Sequence, residues 1–318
     1  LLLSMAQTGG QLLLLRMVQA FGAGMTVVVV GALVRDYYEG REAAQMFALI
    51  GIIMMAVPLV APMLGAELQK LGGWRAIFVF LLAYAVLLLG LMAGFLPKPA
   101  KTEKIGRGIF AVVAGRFKRV LQTRAAMGYL FFQAFSFSSM FVFLTESSFV
   151  YMKLYGVSPR LYAWMFGLNI ITMATFNRIT AWRLKTGTHP QAILKWGIIV
   201  QLGANLLMAV SAAAFDLPPF WLLVGCVMFS VGTQGLVSAN TQACFMGYFK
   251  EEGGSANAVL GVCQSVIGAS VGMLTTWLHN GTAQIMPLMM LASTVCGIIL
   301  LRSCSHQAWK ENSKAAGG

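Results

Sequence analysis

Two charged side chains lie inside apolar stretches of this 318-residue sequence, and their type and position could carry chemistry. Arg16 follows four consecutive leucines, and Glu146 lies near the end of the apolar segment at residues 125–150. A charge at membrane depth costs about 3 kcal/mol or more unless it faces a cavity or a partner. Arg16, with Gln19 one turn later, could pair with an acid or alter its protonation, and Glu146 could accept a proton. The alternatives are that Arg16 extends to the nearby membrane surface and that Glu146 lies among the lipid headgroups.

Uncharged polar side chains within the apolar segments form a second group of candidates. A buried amide in lipid needs a hydrogen-bond partner, so each is interpreted first as a contact between helices and second as a contact to substrate. Several phenylalanines surround the helix at residues 125–150, and some could line an aromatic cavity for flat lipophilic ligands. The candidate substrate contacts are Gln133, Phe137, Asn169, Gln234 and Asn240.

The one match to an enzyme sequence pattern lies in the wrong structural context for catalysis. Residues 268–272 match the G-x-S-x-G pattern of serine hydrolases, but they lie in the middle of a helical segment instead of at a strand-to-helix turn. The three histidines fall in expected loops or in the carboxyl-terminal tail, and the five cysteines lie singly with no C-x-x-C pair. We therefore expect no enzyme, no metal site and no bound cofactor.

The elements that must position these residues are membrane-spanning helices. Hydrophobic residues make up 58% of the chain and charged residues 10%, against roughly 25% charged in an average soluble domain. A helix needs about 20 apolar residues to cross a bilayer. The sequence therefore predicts an all-α polytopic membrane protein with nine complete transmembrane helices, preceded by an apolar stub at residues 1–7. The expected spans are residues 12–34, 43–66, 76–96, 125–150, 161–177, 196–215, 217–249 and two within 253–301.

The net charge of +13 is explained by membrane orientation and needs no nucleic acid as a partner. When the connections between the expected helices are assigned to alternate sides, one side carries 18 Lys and Arg residues and the other carries four. Basic loops stay in the cytoplasm. We therefore expect residues 97–124 and the carboxyl terminus to be cytoplasmic.

The longest connection organises the chain. Residues 97–124 combine eight basic residues with apolar ones, which is typical of a linker ending in a basic helix that lies on the anionic inner leaflet. Three helices and the stub precede it, and six helices follow. We divide the chain into an amino-terminal half at 1–96, the linker at 97–124, a six-helix half at 125–302 and a cytoplasmic tail at 303–318. Small residues repeat at steps of three and four in residues 44–65 and again in 254–272, as expected for parallel repeats.

Several motifs together resemble the major facilitator superfamily, and within it the Bcr/CflA-type drug:proton antiporters. Residues 16–24, RMVQAFGAG, are similar to the fourth-helix motif R-x-x-Q-G-x-G-A, with Ala20 in place of a glycine. Residues 58–66, PLVAPMLGA, are similar to the fifth-helix antiporter motif G-P-x-x-G-G, with alanines at two glycine positions. Residues 32–44, 72–78 and 149–169 continue the resemblance, which covers nearly the whole chain.

The resemblance implies a major facilitator fold of twelve helices, of which this chain would hold helices 4–12. It implies a monomeric exporter in the cytoplasmic membrane that uses the proton gradient and no cofactor. Its cargo would be lipophilic drugs such as bicyclomycin- or chloramphenicol-like compounds. Arg16, Gln19 and Glu146 would belong to the proton-coupling cavity, whereas Pro58, Pro62 and Gly65 would pack against a neighbouring helix.

Two alternatives remain open at this stage. The first keeps the fold and changes the cargo to a sugar, a metabolite or a siderophore. The second is a fragment or membrane scaffold without transport activity, because the family's first-helix acid and its G-x-x-x-D-R-x-G-R-[KR] gating motif would precede residue 1. We expect the first two helices and most of the third to be missing from this sequence.

Overall fold

A computed structural model of the chain describes residues 1–38, 40–95, 109–249 and 252–315, and these residues form helices and no strand. The chain divides into two compact units, unit 1 at Leu1–Lys104 and unit 2 at Ile105–Gly318. Residues 97–108, most of the expected linker before its basic helix, lie outside the described residues.

Unit 1 contains two long helices after a single 3-10 turn at Leu2–Met5. Helix α1, Gly9–Tyr37, begins at Thr8, whose side chain accepts a hydrogen bond from the Gln11 backbone amide. Helix α2, Gly40–Phe95, is broken at Gly72 and Gly73. The backbone of Gly73, at φ 66° and ψ −168°, lies in a region that only glycine adopts readily. The break makes α2 two successive helices joined by a tight turn.

Unit 2 begins with a short amphipathic helix, α3, at Ile109–Gln122. The helices that follow are α4 at Arg124–Ser148, α5 at Pro159–Lys185, α6 at Pro190–Ala214, α7 at Phe220–Gly232, α8 at Gln234–Met246, α9 at Gly253–Leu278 and α10 at Ile285–Ala315. A π-helical turn at Phe149–Leu154 extends α4. Helices α7 and α8 meet at Thr233 and form one apolar stretch, Phe220–Met246.

The described helices agree with the nine expected spans once α2 is divided at its break and α7 and α8 are joined. Among the described residues, six stretches are long and apolar enough to cross a bilayer. The main difference is α5, which continues to Lys185, whereas the sequence predicted a span ending at residue 177. Arginine and lysine are good helix formers and favour the last turn of a helix, so the basic segment extends α5 instead of starting a loop.

The interior of unit 2 contains two apolar clusters separated by a polar layer. One cluster lies where α4 begins and α10 ends, and it includes Tyr129, Leu194 and Val259. The other lies towards the opposite ends of these helices and includes Phe143 and Met290. The buried polar residues between the clusters are Gln133, Ser136, Ser139, Gln201, Asn205, Gln234, Ser293 and Thr294. A layer of hydrogen-bonding groups therefore crosses the middle of the bundle.

Helix α3 packs its apolar face on protein. Val120 is fully buried in the first apolar cluster, and Phe117 contacts the same cluster. The Arg119 guanidinium lies 2.6 Å from a carboxylate oxygen of Glu252, just before α9. Leu121 is 54% exposed, and the basic side chains of Arg116, Lys118 and Arg119 are exposed as well, so the predicted contact of this helix with the inner leaflet stays a prediction.

Candidate functional site

Ser136 on α4 is the centre of the polar layer. Its hydroxyl donates to Gln201 Oε1 on α6 at 2.8 Å. Gln234 Nε2 on α8 donates to both the hydroxyl and the backbone carbonyl of Ser136, each at 2.9 Å. Three helices are therefore joined through one small polar side chain, as expected for hydrogen bonds between helices in a membrane.

Asn205 on α6 makes a second junction about one helical turn after Gln201. Its amide nitrogen donates to Thr294 Oγ1 at 2.8 Å and to the Met290 carbonyl at 3.2 Å, both on α10. It also lies 3.3 Å from Ser139 Oγ on α4. This contact fixes α6 and α10 against α4 at the same level.

Gln133 and Gln234, two of the expected substrate contacts, bind neighbouring helices through their amide nitrogens. Gln133 Nε2 donates to Ser238 Oγ at 3.1 Å and to Gln264 Oε1 at 3.5 Å. The side-chain carbonyl oxygens of both glutamines are buried without a hydrogen-bond partner among the described residues. Leaving a buried acceptor unpaired costs about 1–3 kcal/mol. Each side chain thus joins helices and also offers a free acceptor.

Asn169 on α5 and Asn240 on α8 share with these glutamines only the unpaired side-chain oxygen. Asn240 Nδ2 donates to the Leu236 carbonyl at 2.7 Å within its own helix. The side-chain oxygens of Asn169, Asn240 and Asn205 are buried with no partner among the described residues. Phe137, the remaining expected substrate contact, is half-buried, and its ring lies 5.4 Å from that of Phe141 on the same helix.

Glu146 is buried, and its partner is a residue that the sequence analysis placed in a loop. Its Oε2 atom lies 2.9 Å from Nδ1 of His279, which ends α9. The Glu146 side chain is 5% exposed and the His279 side chain is 31% exposed. The end of α4 that carries Glu146 and the end of α9 that carries His279 both lie on the side expected to be external. The buried acid therefore has one neighbour that can share a proton with it.

The aromatic ring of Phe149 packs against His279 in this contact. The two rings lie edge-on at 4.5 Å, and the ammonium group of Lys153 lies 5.8 Å from the Phe149 ring. Beyond the membrane-spanning part of α4, the Tyr155 hydroxyl donates to the Pro218 carbonyl at 2.5 Å. Burial raises the pKa of Tyr155, so this hydroxyl stays protonated and remains a donor.

Arg16 lies on α1 and contacts uncharged groups. Its Nη1 donates to Gln19 Oε1 at 2.9 Å, and its guanidinium carbon lies 5.0 Å from the centre of the Phe78 ring on α2. The side chain is exposed in the structure. The ion pairs among the described residues give Arg16 no acidic partner. The sequence analysis expected Arg16 to pair with an acid or to alter its protonation, and this role in proton coupling stays a prediction.

The residues expected to pack on α2 and the glycines of the G-x-S-x-G segment on α9 differ in how closely other helices approach them. Pro62 and Gly65 are half-buried on α2, and a Cβ added at Gly65 would meet open space. The side chain of Pro58 is outside the described part. On α9, by contrast, a Cβ at Gly268 would lie 3.3 Å from the Phe141 ring, and one at Gly272 would lie 3.4 Å from Thr145 Oγ1. These glycines allow α9 to approach α4 closely.

Comparison with known proteins identifies the type of chain to which this geometry belongs. The family model described as Major Facilitator Superfamily matches residues 1–273. A solved structure of a bacterial homolog to the human lysosomal transporter Spinster, inward-facing and unoccupied, superimposes with a TM-score of 0.67 at 15% identity. That comparison covers 96% of this chain and 79% of the other, and it supports the fold alone.

Three relatives by sequence have names that refer to drug resistance. A bicyclomycin resistance protein homolog of Haemophilus influenzae is 29% identical over 304 residues, which cover 94% of this chain and 74% of the relative. A chloramphenicol resistance protein of Pseudomonas aeruginosa is 27% identical, with coverage of 91% and 68%. The multidrug resistance protein MdtL of Citrobacter koseri is also 27% identical, with coverage of 95% and 75%.

Proposed function

The chain belongs to the Major Facilitator Superfamily, and from this premise we propose that it exports neutral lipophilic drugs in exchange for protons. It is a multi-pass membrane transporter and not an enzyme. The proposal places it in the cytoplasmic membrane with its carboxyl terminus inside, because the basic connections favour that orientation. Compounds of the bicyclomycin or chloramphenicol type, which appear in the names of two relatives, are the proposed cargo.

The observation that carries the substrate class is the layer of buried amides across the middle of unit 2. Its free acceptors are the side-chain oxygens of Gln133, Asn205 and Gln234, and Asn169 and Asn240 carry further unpaired oxygens on α5 and α8. A bound molecule with hydroxyl or amide hydrogens would donate hydrogen bonds to these oxygens. Its apolar part would lie in the apolar interior of the bundle. The described members of the layer carry no charge, which favours neutral cargo over a strongly ionic metabolite.

The proton-coupling part of the proposal is supported by Glu146 and His279. A buried carboxylate in contact with an imidazole can gain or lose a proton without leaving an isolated charge in lipid. The pair joins α4 to α9, so a change in its protonation would alter a contact between two helices of the same half.

Chloramphenicol accumulation in an efflux-deficient bacterium, with the protein expressed from its complete gene, tests this function. We expect low accumulation in expressing cells, and a rise to the level of cells without the gene when a protonophore is added. Equal accumulation with and without the gene would contradict drug export, and low accumulation that persists with the protonophore would contradict proton coupling.

The variant Arg16→Ala is expected to lower the initial rate of chloramphenicol efflux about tenfold or more. Hydrogen bonds to a charged group contribute about 1.5–3 kcal/mol, and about 1.4 kcal/mol corresponds to a factor of ten. The bond to Gln19 and the contact with Phe78 would both be lost. Arg160→Ala, at an exposed arginine near the start of α5, is the matched control and should leave the rate unchanged. Similar rates for both variants would exclude the role given to Arg16.

A further inference from the structure

A groove between α6 and α10 differs from the other surfaces of unit 2 because two cations lie above an aliphatic wall. Its volume is about 270 Å³, and it is lined by Lys195, Ile198, Ile199, Ile298, Leu301 and Arg302. Ile199 is 59% exposed, so the groove opens towards the surroundings of the bundle and not towards its interior.

The depth of each lining residue follows from the two antiparallel helices. Lys195 comes five residues after Pro190, where the first of these spans begins, and Arg302 comes three residues before Ser305, where the second ends. Both cations therefore lie at the same end of the bundle, the one proposed to be cytoplasmic. Ile199 and Ile298 each lie one helical turn deeper than the cation on their own helix, on the same face.

This arrangement matches the chemistry of one class of ligand, an anionic amphiphile. An acyl chain fits against the four aliphatic side chains, and a phosphate placed above it would lie between two positive groups. A free phosphate ion would leave the aliphatic wall unused. Pockets for drug-sized molecules usually measure about 300–1,000 Å³ and bury most of the ligand, whereas this groove is smaller and open on one side.

We propose that the groove between α6 and α10 binds an anionic phospholipid of the inner leaflet, with its phosphate at Lys195 and Arg302. A second groove on the other side of α6, with a volume of about 390 Å³, has Arg183 as the one cation among its described lining residues. Since each basic side chain near the surface adds a similar attraction for anionic lipid, the two-cation groove is the stronger site. The proposal rests on the proposed orientation of the helices and is independent of the cargo.

Native mass spectrometry of the purified full-length protein tests the proposal. The protein in detergent is titrated separately with dioleoylphosphatidylglycerol, dioleoylphosphatidylcholine and sn-glycerol 3-phosphate. We expect one tightly retained phosphatidylglycerol, weaker phosphatidylcholine, and no retained glycerol phosphate. The double variant Lys195→Gln/Arg302→Gln should weaken phosphatidylglycerol binding about 30-fold, because each cation contributes about fivefold.

Matched variants separate this site from a general effect of charge. The double variant Arg178→Gln/Lys185→Gln removes one arginine and one lysine from exposed positions on α5 and should keep the tight lipid. Arg302→Lys should retain it as well. Arg302→Gln alone changes an exposed side chain, leaves the fold intact and should show the fivefold loss. Equal loss in the two double variants, equal retention of both lipids, or glycerol phosphate bound as tightly as lipid would each overturn the proposal.

Discussion

An alanine at position 235 is expected to destabilise unit 2 by about 3 kcal/mol or more. Gly235 lies where α8 crosses α5, and a Cβ there would lie 2.7 Å from the Asn177 backbone nitrogen and 3.1 Å from the Phe176 carbonyl carbon. Side chains can rotate away from such contacts, but the backbone of α5 cannot. The Gly235 carbonyl also accepts a hydrogen bond from Thr180 Oγ1 at 2.9 Å, which holds the two helices at this distance. The thermal unfolding midpoint in detergent and the monodisperse yield measure the effect.

Gly225→Ala is the matched control for that substitution. Gly225 lies on α7, in the same apolar stretch as Gly235, and a Cβ there would have no atom within 4 Å. An alanine in a helix is favoured over glycine by about 0.5–1 kcal/mol, so this variant should unfold at the same temperature or slightly higher. If Gly235→Ala unfolded at the temperature of Gly225→Ala, the close approach of α8 to α5 would be wrong.

The helices could be predicted from the sequence because lipid constrains backbone groups strongly. A run of about 20 apolar residues can satisfy its own amides in lipid only as a helix, so composition and length were sufficient for nine spans. The ends of the helices were less predictable. The charged end of α5 continues the helix to Lys185, since a helix can extend past the hydrocarbon region when its basic side chains reach water.

The candidate site could be predicted by residue type but not by partner. Buried amides were expected, and Gln133 and Gln234 are indeed buried and bonded between helices. The junction of Gln201 and Gln234 at Ser136 could not be inferred. Serine is ordinary in any helix, and its position as a junction depends on how α4, α6 and α8 meet.

His279 and Gly235 show why tertiary contacts escape the sequence. Two spans were predicted within residues 253–301, but a histidine at a helix end has no pattern that identifies an acid 133 residues away. Likewise, the regular small-residue steps were visible at residues 254–272, whereas Gly235 is an isolated contact that depends on the path of α5.

Removing His279 is expected to cost far more stability than neutralising its partner. His279→Ala leaves the Glu146 carboxylate, with a 5% exposed side chain, without its imidazole partner, and leaving a buried charged group unpaired costs about 3 kcal/mol or more. Glu146→Gln leaves an amide that can still bond to a histidine 31% exposed to solvent, so its cost should be about 1 kcal/mol. The free energy of unfolding in detergent, measured for each variant, gives the comparison.

The double variant His279→Ala/Glu146→Gln determines whether the loss comes from the pair. Without the carboxylate, no unpaired charge remains buried, so the double variant should recover most of the stability that His279→Ala loses. The effects of the two changes on the free energy of unfolding should therefore be strongly non-additive. Additive costs would mean that the two side chains do not interact. In the chloramphenicol assay, Glu146→Gln keeps the fold and should remove the part of efflux that a protonophore abolishes. A folded Glu146→Gln variant with full protonophore-sensitive efflux would assign the pair to stability alone, since the contact would then hold α4 and α9 together without exchanging the coupled proton.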